Sequence, residues 1–203
     1  MIGEFEPGPN RATLGFKEAV LSAFYFLTTE YGFRCVKTEV TFVRYESSSA
    51  FINIYHGRGS FELGFEIGPL AESPELEEHF SLGDVVDVMD ARKETGYNFF
   101  QVSDREGVQK FVPRLAELVR KYADLALRGN QEFFRRLREM QTQKSDLFLK
   151  EMRLEQIRPK VEIAWREKNY RKAVELYESV HNDLSSLELQ KLDYARKKLK
   201  ERR

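Results

Sequence analysis

From residue 50 to residue 68 the chain reads AFINIYHGRGSFELGFEIG, and apolar side chains recur at every second position through much of it. Phe61, Leu63, Phe65 and Ile67 fall on one side, and Glu62, Gly64 and Glu66 on the other. Side chains of an extended strand alternate between faces, so this pattern demands a β-strand with one buried face and one wet face. The interruption, YHGRGS (55–60), mixes His56, Arg58 and Ser60 with two glycines. It reads as a hairpin turn in which the glycines take positive φ. A phosphate cradle would need a helix start after it, and none follows. Upstream, FRCVKTEVTFVRYE (33–46) is rich in Val, Thr, Phe and Tyr and reads as a strand. With AFINIYH (50–56) and SFELGFEIG (60–68) it predicts a three-stranded antiparallel meander.

The rest of the chain changes period. Thr13 is placed to cap a helix reaching Tyr31, with Phe16, Val20, Phe24 and Leu27 on its apolar stripe and Gly32 as its left-handed stop. After residue 70 the spacing is helical throughout. Ser73–Pro74 predicts a short helix over 73–80, and Asp84, Asp87 and Asp90 share one face of another over 81–91. Ser103 and Glu106 form a capping box ahead of the longest stripe, Val108 to Leu125. RGN (128–130) starts a further helix, and QTQKS (141–145) is a polar weak point within it. A final helix follows a second capping box, Ser185 and Glu188. The fold class predicted is α+β: a helix on a three-stranded meander, then long helices and a C-terminal helical hairpin. The domains predicted are a loose arm at 1–12, an α+β domain at 13–145 and a helical module at 158–203.

Charge divides the chain more sharply than its zero net value suggests. Residues 1–100 hold 8 Lys/Arg against 16 Asp/Glu, and residues 101–203 hold 25 against 17. Two halves of opposite sign either attract each other or face different partners. One cysteine, Cys35, rules out an internal disulfide framework and fits a reducing cytoplasm. A lone strand cysteine of this kind reads as a small core residue. The longest mainly apolar run, AVLSAFYFL, is far short of a membrane span.

The segment AWREKNYRKAVELYESV within 159–182 resembles the turn and second helix of a tetratricopeptide repeat, with Ala164, Tyr170, Ala173 and Tyr177 at the family's small and aromatic positions. Lys168–Asn169 stands where that family usually has glycine. The resemblance implies an antiparallel helical hairpin; a single copy does not imply the family's peptide groove. Residues 16–68, with YGF (31–33), VRYES (43–47) and INIYHGRGSFELGFEIG (52–68), loosely resemble a pattern in small bacterial proteins, some from toxin–immunity settings. That likeness implies a cytoplasmic, non-catalytic binding protein.

No catalytic motif competes with this reading. The three histidines, His56, His79 and His181, lie far apart and form no ligand pair, so neither a metal nor a cofactor is expected. There is no G-x-S-x-G, no Walker loop and no G-x-G-x-x-G. Glu62 and Glu66 are about 13 Å apart along one strand, too far to act on one bond. The expected function is non-enzymatic binding of another protein through one of two surfaces. The first is a sheet face with Glu39, Arg44, Glu62 and Glu66, and His56 and Arg58 exposed at its end. The second is a helical groove around Trp165, Tyr170 and Tyr177. Two alternatives stand beside it. One is nucleic-acid binding through the basic run Arg135, Arg136, Arg138, Lys144, Lys150, Arg153, Arg158 and Lys160. The other is a hydrolase using His56 with sheet glutamates.

Overall fold

The computed structural model describes residues 11–57 and 59–201. Most of the expected arm and Arg58 of the turn lie outside the described residues. The chain divides into two compact units, Met1–Met140 and Gln141–Arg203. By sequence the first carries 17 Lys/Arg and 22 Asp/Glu and the second 16 and 11, so part of the positive excess after residue 100 belongs to the first unit.

Mixed α+β architecture is what the first unit shows. Its strands are β1 (Arg34–Glu39), β2 (Phe42–Glu46), β3 (Ala50–His56), β4 (Glu62–Pro69), β5 (Phe80–Ser81) and β6 (Phe100–Gln101). They form one antiparallel sheet in the order β1-β2-β3-β4-β5, with β6 also on β4. The segment expected as one strand over 33–46 is a hairpin, β1 to β2. Its two-residue turn is Val40–Thr41, which carries none of the Gly or Asn signal that marks such turns. Val43, Tyr45, Ile52, Ile54, Leu63, Phe65 and Ile67 line the core face in alternation.

Helices α1 (Phe16–Ala23) and α2 (Tyr25–Glu30) replace the single helix expected after Thr13. Thr13 sits in a 3₁₀ turn and Gly15, at φ 68°, opens α1; Gly32 ends α2 at φ 71° as expected. The segment 73–80 is a 3₁₀ turn, Pro74–Leu76, followed by β5, because residues 77–81 lie back against the sheet instead of coiling. Helix α3 (Leu82–Val88) is capped by Ser81 and Asp84. Asp87 binds Arg92 of α4 (Arg92–Thr95), and Asp90 lies beyond α3 at φ 52°, so the three aspartates do not line one helix face.

Helix α5 (Arg105–Tyr122) buries Val108, Val112, Leu115, Leu118 and Val119 against α1. Its cap is Asp104, one residue on from the predicted Ser103, because Asp104 accepts the Gly107 amide. The helix breaks at Ala123 into α6 (Asp124–Leu127), which leaves the predicted stripe residue Leu125 exposed. Helix α7 (Gln131–Arg166), opened by the Asn130 side chain on the Phe133 amide, runs unbroken through the expected weak point at 141–145. Gln141, Gln143 and Lys144 are good helix formers, and no proline or glycine interrupts the stretch. In the second unit α8 (Tyr170–Glu178) packs on α9 (Ser186–Glu201), with Val161, Tyr177 and Leu192 at the centre. The expected Ser185–Glu188 capping box is present.

Candidate functional site

The face of the sheet expected to be wet is covered. Arg44 on β2, Asn53 on β3 and Glu66 on β4 stand side by side, as the register sets them. Residues 77–79 lie across them. The Arg44 guanidinium donates to Glu46 at 2.6 Å, to Asn53 at 3.2 Å and to both oxygens of Glu77 at 2.5 and 3.1 Å. Asn53 donates to Glu66 at 3.2 Å, and His79 Nδ1 sits 3.0 Å from the same oxygen. Arg44 also stacks over Phe51, 4.6 Å from the ring centre. The segment approaches closely because of Gly68: a Cβ there would lie 1.8 Å from the Glu78 carbonyl oxygen. Gly64 likewise makes room for the Tyr55 ring. Burial first, then the charges of Glu66 and Glu62, push the Tyr55 hydroxyl up to about 12.

This network is closed. Four guanidinium donors are engaged, and Glu77 has a side chain 3% exposed. Bidentate Arg–carboxylate geometry of this kind holds a segment in place. Glu62 shares the face but lies toward the Tyr55 and Tyr97 end. Glu39 pairs with Lys37 at 2.7 Å on the exposed edge strand. Cys35 on that strand is exposed, because β1 contributes no residue to the core.

His56 is not exposed at the sheet end; it is 2% exposed and belongs to the core face. The alternation that places Ile52 and Ile54 inward places His56 inward too, so that signal was present in the sequence. Its Nε2 lies 2.6 Å from the Val102 carbonyl and therefore donates, which leaves the buried Nδ1 as an acceptor with no partner among the described residues. Burial pulls its pKa down, so the ring stays neutral. The sheet itself separates it from Glu62 and Glu66. The geometry does not bring together the histidine and glutamates that the hydrolase reading requires. Among the described residues no group of three His, Cys, Asp or Glu could hold a metal ion.

The second unit gathers aromatic side chains instead. Trp165 stacks on Tyr194 at 5.8 Å, and Tyr170 meets Trp165 edge-on at 5.4 Å and Tyr194 at 6.2 Å. Tyr194 is exposed, Trp165 and Tyr170 are half-buried, and Tyr177 is buried beneath. A cleft of about 310 Å³ adjoins them, lined by Val161, Trp165, Tyr177, Arg166 and Lys191, with the Arg158–Glu188 pair at 2.8 Å. Tyr194 escaped the sequence reading because it stands one position off the Leu192–Ala195 stripe that α9 buries.

Arg135 and Arg138 of the predicted basic run are engaged by Glu132 and Glu78, and Arg153 and Arg158 by Asp183 and Glu188. No helix among the described residues is long and apolar enough to cross a membrane. The chain matches no protein-family model, no curated protein and no solved structure.

Proposed function

We propose that the chain is a non-enzymatic binding protein that acts by contact with another protein, of the immunity type that the likeness of residues 16–68 implies. Its contact surface is the aromatic group Trp165, Tyr170 and Tyr194 with the adjoining cleft. The observation that carries this reading is three mutually touching rings partly open to solvent, with Lys198 5.6 Å from the Tyr194 ring centre. Trp, Tyr and cationic side chains around a pocket are the composition that dominates binding energy at protein interfaces. The exposed lone Cys35 suits a reducing compartment, which favours the cytoplasm. Nucleic-acid binding is the weaker reading, because several arginines of the basic run already hold carboxylates that phosphates would have to displace.

The test is affinity capture from the native host, comparing the full chain with its Tyr194→Ala variant. The reading requires a protein retained in stoichiometric amount by the first and lost by the second. Capture that is indifferent to Tyr194 overturns it. So does salt-dependent retention of single-stranded nucleic acid with no protein retained.

A further inference from the structure

The cleft beside Trp165 offers donors, while its two carboxylates are already held by arginines. Glu188 accepts from Arg158 at 2.8 Å and from the Ser185 amide and hydroxyl at 2.8 and 2.7 Å. Glu162 stands 3.8 Å from Arg166, one turn along α7. Lys191 of α9 lines the cleft, is exposed and forms no ion pair among the described residues. The buried Trp165 Nε1 has no hydrogen bond among the described residues. Tyr177 lines the same cleft, and its hydroxyl is close enough to that N–H to feel it. Burial raises the Tyr177 pKa, and the indole N–H opposes the rise. An N–H aimed at the phenol oxygen leaves the phenol proton to donate elsewhere. The unit around the cleft carries 16 Lys/Arg against 11 Asp/Glu.

We propose that this cleft takes the carboxylate of a glutamate or aspartate from an acidic segment of the partner protein. Lys191 supplies the opposite charge, the Tyr177 hydroxyl donates to a carboxylate oxygen, and the Trp165 N–H supports that hydroxyl from behind. Charge and donor complementarity select the occupant: an unpaired ammonium and a free phenol proton ask for an anionic acceptor. Size agrees. About 310 Å³ holds about ten waters, at the low end of ligand pockets, so it suits one side chain and the residue beside it. Val161 and the Trp165 ring give that neighbour an apolar wall. A nucleic acid fits less well. Tyr194 covers one face of Trp165 and Lys198 approaches the Tyr194 ring, so the rings offer no row of open faces for successive bases. The inference rests on the proposed reading of this surface as a protein contact and names the chemistry of what it contacts.

Trp165, the single tryptophan, borders the cleft, so its emission reports occupancy in the full chain. The probe is a blocked peptide, Gly-Leu-Glu-Leu-Gly, titrated beside counterparts with Gln or Lys in place of Glu. The Glu peptide is expected to bind with a Kd of about 1 mM and about tenfold more tightly than the Gln peptide, with the Lys peptide silent. Lys191→Gln and Tyr177→Phe should each weaken it about fivefold to tenfold, and Lys191→Arg should retain it. Glu162→Gln, which removes a like charge at the rim, should tighten it about twofold. Lys191 is exposed, so its variants decide the matter even if Tyr177→Phe fails to fold. Silence of the Glu peptide up to about 10 mM, ten times the expected Kd, overturns the proposal. So does binding indifferent to Lys191, acetate matching the peptide (a bare anion site), or oligothymidylate binding more tightly than the peptide. Equal affinity for the Glu, Gln and Lys peptides overturns the acidic preference alone and leaves the protein-contact reading standing, whereas capture indifferent to Tyr194 sinks that reading itself.

Discussion

Replacing Glu188 by glutamine tests how the second unit is held together. Glu188 is 9% exposed, and its carboxylate accepts from Arg158 at 2.8 Å and from the Ser185 amide and hydroxyl at 2.8 and 2.7 Å. These bonds, Arg158 first and then Ser185, hold its pKa at about 2 against the ordinary 4.5. A depression of that size corresponds to roughly 3 kcal/mol of stability in favour of the folded state. Arg158 is half exposed, so solvent screens its share, and glutamine can still accept from the Ser185 amide. The expected net loss is therefore ~1–3 kcal/mol. Trp165 is the single tryptophan and lies in this unit, so its fluorescence reports unfolding of the unit within the full chain. With a urea slope of about 1 kcal/mol/M, the midpoint should fall by ~1–3 M. The pH arm has a definite sign. A depressed carboxylate contributes stability that is complete above 4.5 and is lost as pH falls toward 2. The gap between wild type and Glu188→Gln should be constant above pH 5 and close below 4.5. A midpoint that does not move, or a gap indifferent to pH, would refute the assignment of Glu188 as the anchor of α9.

Three other perturbations follow from the geometry. Lys168 adopts φ 56°, so Lys168→Gly should raise the same urea midpoint, stabilising by about 0.5–1 kcal/mol; a lowered midpoint would contradict it. Arg44→Met leaves the Glu77 carboxylate buried and unpaired and should cost ~3–5 kcal/mol, with much of that recovered in the Arg44→Met/Glu77→Leu double variant, as calorimetry would show. Burial lowers the His56 pKa from its ordinary 6.5, so His56 supports stability above that value and withdraws it as pH falls below. The His56→Gln variant should therefore lose less stability than wild type between pH 6.5 and 5 in thermal melts.

Local pattern determined a good deal by itself. Alternation at Leu63, Phe65 and Ile67, the α5 stripe from Val108 to Val119, the Gly32 stop and the Ser185–Glu188 box are all where the residues indicated. Each depends on neighbours within a few positions, so period and capping chemistry decide it. Phe61 is the exception on its own strand. It turns out to take φ 55° in the hairpin, where Gly57 and Gly59 were expected to supply the positive φ.

Long-range packing decided the rest. Arg44, Asn53 and Glu66 looked like a solvent-facing charged strip, and only the return of residues 77–79 over Gly68 encloses them. Nothing local records that return, because it depends on the absence of a side chain at Gly68 on β4 and on the carboxylate of Glu77, nine residues after it. The Val40–Thr41 turn was hidden for a related reason: the pairing of Glu39 with Phe42 imposes it, and its own residues do not. In the second unit, sequence named Trp165, Tyr170 and Tyr177, but only the crossing of α7 and α9 set Tyr194 against Trp165. Sequence periodicity thus says which face of each element is apolar, while contact between distant elements decides which polar face is covered and which aromatic rings meet at the surface.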